Sequence, residues 1–225
     1  MPKTFVVSLG GSLICPNDFD FSFLKKFRTT ILKYVKKKNK FAIICGGGKL
    51  ARAFQEIASK SSKLSNDELD RLGIHATKIN AHLVKSIFNK HAEDPIISNP
   101  TKKLKMKKNI AIASGWKPGW STDYVAVLLA KNLRANEVIN MSNVDYVYNK
   151  DPKKFKNAKK LEKIRWKDYL KMTGTKWKAG MNVPFDPIAA KEAQSSRIKV
   201  YIVGKNLKNL ENLLDNKRFK GTVIS

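Results

Sequence analysis

Thiol and imidazole chemistry are nearly absent from this chain. Its 225 residues include two cysteines, Cys15 and Cys45, and three histidines, His75, His82 and His91. The cysteines make no CxxC pair and no metal spacing, so they are read as reduced, partly buried thiols. His75 and His82 are seven apart and share a helical face, but no third ligand stands at zinc spacing. No apolar run reaches the about 18 uncharged residues of a membrane helix. The start, Met1 to Gly11, lacks a signal-peptide layout: Phe5-Val6-Val7 is short and leads straight into glycines. A cytoplasmic protein without a membrane span is expected. Two nucleotide-binding motifs are also missing. Gly46-Gly47-Gly48-Lys49 does not satisfy GxxxxGK[ST], and no G-x-G-x-x-G occurs. That argues against a P-loop ATPase and against an NAD enzyme.

Acidic residues are scarce. Asp and Glu number 18 against 45 Lys and Arg, a formal charge of +27. Such a balance favours anionic ligands, nucleotides and nucleic acids alike. The lysines are spread along the chain, in Lys36-Lys37-Lys38, Lys102-Lys103, Lys107-Lys108 and Lys159-Lys160. No zinc finger, basic zipper or aromatic-rich strand repeat accompanies them. A generic basic surface with no specific nucleic-acid partner is the expectation.

What is present follows a repeating grammar. Thr4 to Leu9 reads as a buried strand ending at Gly10-Gly11. Phe21 to Lys37 reads as a helix, with Phe23, Leu24, Phe27, Ile31 and Tyr34 at helical spacing. Phe41 to Cys45 is a strand running into Gly46-Gly47-Gly48. A helix follows from near Lys49, with Leu50, Phe54, Ile57 and Ala58 on one face. Leu64 to Lys90 is mostly helical, interrupted around Leu72-Gly73-Ile74. Ile96-Ile97 and Ile110 to Ala113 are short strands. Ser121 or Thr122 caps a helix lined by Val125, Leu128, Leu129 and Leu133. Glu137 to Met141 is a strand, Pro184 to Ser195 a helix, Val200 to Val203 a strand, Leu207 to Leu214 a helix, and Thr222 to Ile224 a strand. Alternating strands and helices with glycines at strand ends predict an α/β fold with a mostly parallel sheet. No Ser-, Gly- or Pro-rich linker divides residues 1–225, so one domain is expected.

Three glycine sites stand at strand ends. Gly10-Gly11-Ser12 offers backbone N–H donors and a hydroxyl to a phosphate, or is a plain tight turn. Gly46-Gly47-Gly48 precedes a helix N-terminus that favours an anion. Lys49 and Arg52 lie in that helix's first turn, where the helix field opposes a cation and a bound anion would relieve it. A structural turn is the alternative. Gly115 to Asp123 adds Lys117, two hydroxyls and a carboxylate. Asp123, Asp145, Asp151 and Asp186 all lie at element ends, as helix caps or turn residues, or as groups that orient a metal or a lysine. Phosphoryl transfer needs alignment and charge neutralisation more than a covalent nucleophile.

Six ordered stretches spanning nearly the whole chain, residues 6–16, 43–52, 72–83, 114–130, 139–152 and 185–193, resemble the amino-acid-kinase superfamily. Within it they resemble the archaeal-type uridylate kinases. The resemblance implies a three-layer αβα sandwich that moves the γ-phosphoryl of Mg-ATP in line onto UMP. Residues 1–135 would form an acceptor half and 136–225 an ATP half. Gly10, Gly11, Ser12, Lys49, Asp123 and Asp186 would form the catalytic set. UMP would meet Gly46, Gly47, Gly48, Arg52, Gly73, Thr77, Lys78, Thr122 and Asp123. ATP would meet Gly10, Gly11, Gly47, Asn143, Asp145, Tyr148 and Asp151. Mg2+ would come with ATP, with no protein ligand assigned to it, and a dimer-based homohexamer would be the assembly. Alternatives on the same fold are a kinase for a carboxylate, carbamate or isoprenoid phosphate, and a non-catalytic nucleotide or oxyanion binder. The chain departs from the family pattern at several positions. Lys78 stands for an arginine and loses its bidentate geometry. Tyr146 stands for a glycine in the VDGVY pattern. Trp120 and Tyr124 enter the HPGHTTDA pattern. Ser8 stands where many superfamily members, though not the archaeal branch, place a lysine.

Overall fold

The computed structural model describes residues 2–16, 22–174 and 183–225. Thr4–Leu9 (β1) leads into a single helical turn, Gly11–Ile14 (α1). The helix expected from Phe21 is observed as Ser22–Lys36 (α2); Phe21 lies outside the described residues. Lys40–Cys45 (β2), Gly48–Ser61 (α3) and Asn66–Phe88 (α4) follow. Next come Ile110–Ala113 (β3), Thr122–Asn132 (α5) and Glu137–Met141 (β4). Val147–Tyr148 (β5) pairs with Lys160–Leu161 (β6) in an antiparallel hairpin. Lys163–Ile164 (β7), Trp166–Thr173 (α6), Pro187–Ser195 (α7), Lys199–Val203 (β8), Leu207–Leu214 (α8) and Thr222–Ile224 (β9) complete the chain.

Seven strands form one sheet in the order β3-β2-β1-β4-β8-β9-β7. The first five run parallel, and β9 is antiparallel to β8. Period-two alternation sorts the strand side chains onto two faces. Val7, Leu9, Ile43, Cys45, Ile139 and Met141 face α2, α4 and α8. Val6, Ala42, Ile44, Val138, Val200 and Ile202 face α5, α6 and α7. Both faces are covered, so the central strands are nearly all apolar, as parallel sheets require. Ser8 and Asn140 break that pattern. They are direct neighbours across the β1–β4 ladder, on the α5 face, and both are buried.

Four expectations need correction. α4 runs unbroken through Gly73, held along its length by packing on α3, β2 and β3; a Cβ on Gly73 would lie 3.0 Å from the Gln55 amide nitrogen of α3. Ile96-Ile97 makes only an isolated bridge, Ile97 to Ala113. α7 starts at Pro187 rather than Pro184, since Asp186 caps it by accepting from the Ile188 N–H. Cys15 is exposed rather than partly buried, and only Cys45 lies in the core. In addition, the apolar face read on α3 stays exposed at Phe54 and Ile57. Among the described residues no helix is long and apolar enough to cross a membrane.

Candidate active site

The parallel strands end along one edge, and their loops converge there. The Gly46 N–H donates to the Leu9 carbonyl at 2.9 Å, and the Gly10 N–H to the Met141 carbonyl at 2.8 Å. The turns after β1 and β2 touch backbone to backbone. A Cβ on Gly11 would fall 2.3 Å from the Gly48 nitrogen, and one on Gly48 would fall 2.3 Å from the Gly11 carbonyl carbon. Gly48 also has φ +60°, in the left-handed region. These two glycines are therefore needed for loop-to-loop contact. Asn80, 2% exposed on α4, locks the arrangement by donating to the Gly46 and Gly47 carbonyls at 2.7 and 3.3 Å.

Two helices begin at this contact, and neither is capped by a side chain. α1 follows Gly10 and α3 follows Gly47, and no acidic residue lies in either first turn. Elsewhere Ser65, Ser121, Asp186 and Asn206 cap α4, α5, α7 and α8 with side-chain oxygens. The first N–H groups of α3 are thus left for another acceptor. They open on a cleft of about 570 Å³. Ser12, Lys49 and Arg52 line it beside Gly47 and Gly48. Among the described residues no carboxylate lies within 4.0 Å of Lys49 or Arg52. The far wall carries Gly73, Thr77, Trp120 and Thr122, and Asn143 enters from the β4 side.

Thr77 and Asp70 hold that far wall in place. The Thr77 hydroxyl accepts from the Gly115 N–H at 2.8 Å and donates to the Ile74 carbonyl at 2.6 Å. The Asp70 carboxylate accepts from the Gly119 N–H at 2.8 Å. Trp116, Trp120 and Tyr124 stack in series, with centroids 6.2 and 4.2 Å apart. The Lys117 ammonium lies 4.3 Å from the Trp116 ring centroid.

Asp123 does not line the cleft. It points beneath it, to the pair that breaks the strand pattern. Its carboxylate accepts from the Ser8 hydroxyl at 3.2 Å, the Asn140 amide at 3.1 Å and the Asp186 N–H at 3.2 Å. Burial, and behind it the charge of Asp186, pushes the Asp123 carboxyl up to about 7. Burial raises Asp186 as well, which the Ser121 hydroxyl and the Ile188 N–H counter by donating to it. The Tyr169 hydroxyl fixes the chain just ahead of Asp186, donating to the Phe185 carbonyl at 2.6 Å and accepting from its N–H at 2.9 Å.

The predicted donor-side residues sit in different places. Asn143 reaches the cleft. Asp145 is exposed, and its carboxylate takes the space a Cβ on Gly204 would occupy. Tyr148 belongs to the hairpin, and Asp151 caps the turn after it by accepting from the Lys153 N–H at 2.9 Å. Lys78 lines a neighbouring cavity with His75, Trp116 and Lys117. Sequence reasoning missed Asp70, Gln55 and Asn80. Only Asn80 left a signal: it is a polar residue at the apolar spacing of Ala76, Thr77, Ala81 and Val84.

The sequence model of the amino acid kinase family matches residues 3–204. The chain is 38% identical to the uridylate kinase of Pyrococcus abyssi, over 97% of this chain and 98% of that one. It is 36% identical to the uridylate kinase of Thermococcus kodakarensis, over 97% and 98%. The crystal structure of uridylate kinase from Archaeoglobus fulgidus superposes with a TM-score of 0.82 at 31% identity, covering all of both chains.

Proposed function

The chain belongs to the amino acid kinase family and resembles its archaeal-type uridylate kinases, and we propose that it transfers the γ-phosphoryl group of ATP to UMP, giving UDP and ADP. The observation that carries this is the pair of uncapped helix starts, α1 and α3, that meet at one cleft lined by Ser12, Lys49 and Arg52. UMP fills the space between Arg52 and Trp120, its phosphate on the α3 N-terminus beside Gly47 and Gly48. Gly73, Thr77 and Thr122 bound its nucleoside end, and Lys78 stands outside this wall. ATP approaches from the β4 side, along Asn143, Asp145, Tyr148 and Asp151. Residues 1–135 then serve the acceptor and 136–225 the donor.

The transferring group lies over Gly10, Gly11 and Ser12. Catalysis rests on positioning and on N–H and cationic stabilisation of its oxygens, with Lys49 supplying a charge from the cleft wall. The acceptor phosphate is already ionised, so no general base is needed. Asp123 and Asp186 act as positioning residues, setting the ends of β1 and β4. No cluster of three acidic, His or Cys side chains suited to a metal occurs among the described residues. The cleft offers N–H groups, hydroxyls and one carboxylate, Asp70, which fits a Mg2+ carried by the nucleotide's own phosphates. Such an ion supplies neutralisation of the β- and γ-phosphate charge. Exposed Phe54 and Ile57 on α3, with Ile79 and Leu83 on α4, support assembly into a homo-oligomer, for which we take a dimer-based hexamer. The setting proposed is the cytoplasm.

An ADP-release assay with Mg-ATP and an acceptor panel tests the reading. UMP should release ADP well above the ATP-only rate. Release with a carboxylate, a carbamate or an isoprenoid phosphate, and none with UMP, overturns it.

A further inference from the structure

The β5–β6 hairpin borders a space apart from the cleft. There a cavity of about 460 Å³ opens between the hairpin, α8 and the stretch leading into β9. It shares no lining residue with the cleft. Lys160, Lys208, Arg218 and Lys220 line it, against the single carboxylate Glu162. Glu162 already lies 3.5 Å from Lys160, and Lys208 lies 3.8 Å from Glu211. Among the described residues no carboxylate comes within 4.0 Å of Arg218 or Lys220. Like charges gathered in a concavity repel and concentrate counter-anions.

The walls are built. Asn209, 8% exposed, donates to the Lys220 carbonyl at 2.6 Å and accepts from the Lys220 N–H at 2.7 Å. The backbone carrying Arg218 and Lys220 is thereby held against α8. Tyr146 supplies an aromatic wall, with the Lys160 ammonium 5.0 Å from its ring centroid. That ring stands where the family pattern has glycine, so this wall belongs to the chain itself. Tyr146 also meets Tyr148 edge-on at 6.5 Å, which links the cavity to the donor side of the hairpin.

We propose that this cavity is a second anion site that binds a chain of two or three phosphates, separately from catalysis. Four long cations around an open space of about 460 Å³ match several phosphates better than one small oxyanion. The chain could be free or the tail of a nucleotide, and Tyr146 tells the two apart, because only a base stacks on its ring.

The test is calorimetric titration of the whole protein with inorganic tripolyphosphate and, separately, with a non-hydrolysable ATP analogue. Wild type should bind tripolyphosphate at two places. Arg218→Gln with Lys220→Gln should lose one of them, with affinity down tenfold or more, while UMP-dependent turnover stays at the wild-type rate. Arg52→Gln should lose the other. A double variant whose titration superposes on wild type overturns the proposal, as does complete loss of binding in Arg52→Gln. Weaker analogue binding in Tyr146→Ala with unchanged tripolyphosphate binding assigns a nucleotide; equal binding of both assigns a free phosphate chain. Turnover of wild type with UMP reads the kinase proposal independently of any of these outcomes.

Discussion

The backbone N–H of Asp186 donates to the carboxylate of Asp123 at 3.2 Å, so two acidic residues 63 positions apart are joined through one main-chain group. The contact ties α7 to the start of α5, directly beneath the cleft. It also sets two carboxylates close enough to oppose each other's ionisation.

A dependence of stability on pH follows. The Asp123 carboxyl titrates near 7 when folded and near the ordinary aspartate value when unfolded. The folded state holds the proton more tightly, so its contribution is complete below the unfolded value and is lost as pH rises to about 7. The melting temperature of wild type minus that of Asp123→Asn should fall between pH 4 and 7 and level off above. A difference that stays constant with pH removes this role. Turnover of Asp123→Asn should drop on the order of a hundredfold through misplacement of Ser8 and Asn140.

Arg52 should show its role in the acceptor term. Loss of one charge-assisted bond to a phosphate costs about 1.5–3 kcal/mol. Arg52→Ala should therefore raise the KM for UMP on the order of tenfold to a hundredfold, with a smaller effect on the KM for ATP. Steady-state kinetics with each substrate varied in turn decides it, and an equal rise in both would move Arg52 away from the acceptor.

Trp120 replaces a histidine of the family pattern and forms part of the cleft wall. If the acceptor's base lies on its ring, Trp120→Ala raises the KM for UMP about threefold to tenfold. Trp116, one ring further out, should matter less. Equal effects of the two substitutions would make the stack structural.

Gly11→Ala should destabilise the protein by about 1–3 kcal/mol. For a chain of this size that lowers the melting temperature by about 2–4 °C per kcal/mol. Gly119→Ala is the comparison: nothing lies within 4 Å of a Cβ there, and only its positive φ is strained. A Gly11 variant as stable as wild type would disprove the tight contact with Gly48.

The sheet was legible because buried parallel strands leave dense apolar runs, and Ile110–Ala113 and Glu137–Met141 match the expected bounds. β5, β6 and β7 are two residues each, too short for any periodicity to register. The helix continues through Gly73, where the sequence suggests a break, because packing of the whole of α4 on α3 and the sheet outweighs glycine's local preference. The glycine turns were plain in the sequence, but the contact between them was not. It joins residues 37 positions apart, and Asn80, which secures it, bonds to carbonyls 34 and 33 positions away. Asp70 was invisible for a similar reason, since its partner Gly119 lies on another loop.

The contact between Gly11 and Gly48 leaves no room for the two turns to slide past one another. They form one floor, held by main-chain bonds and by the Asn80 side chain. In the proposed reaction, such a floor would give donor and acceptor a common origin. Ligand entry and release in that reaction fall to the walls: the stretch from Gly115 to Thr122 on one side and the loop carrying Asn143 on the other. A probe placed on either wall should report motion during turnover, and one placed on the floor should stay silent.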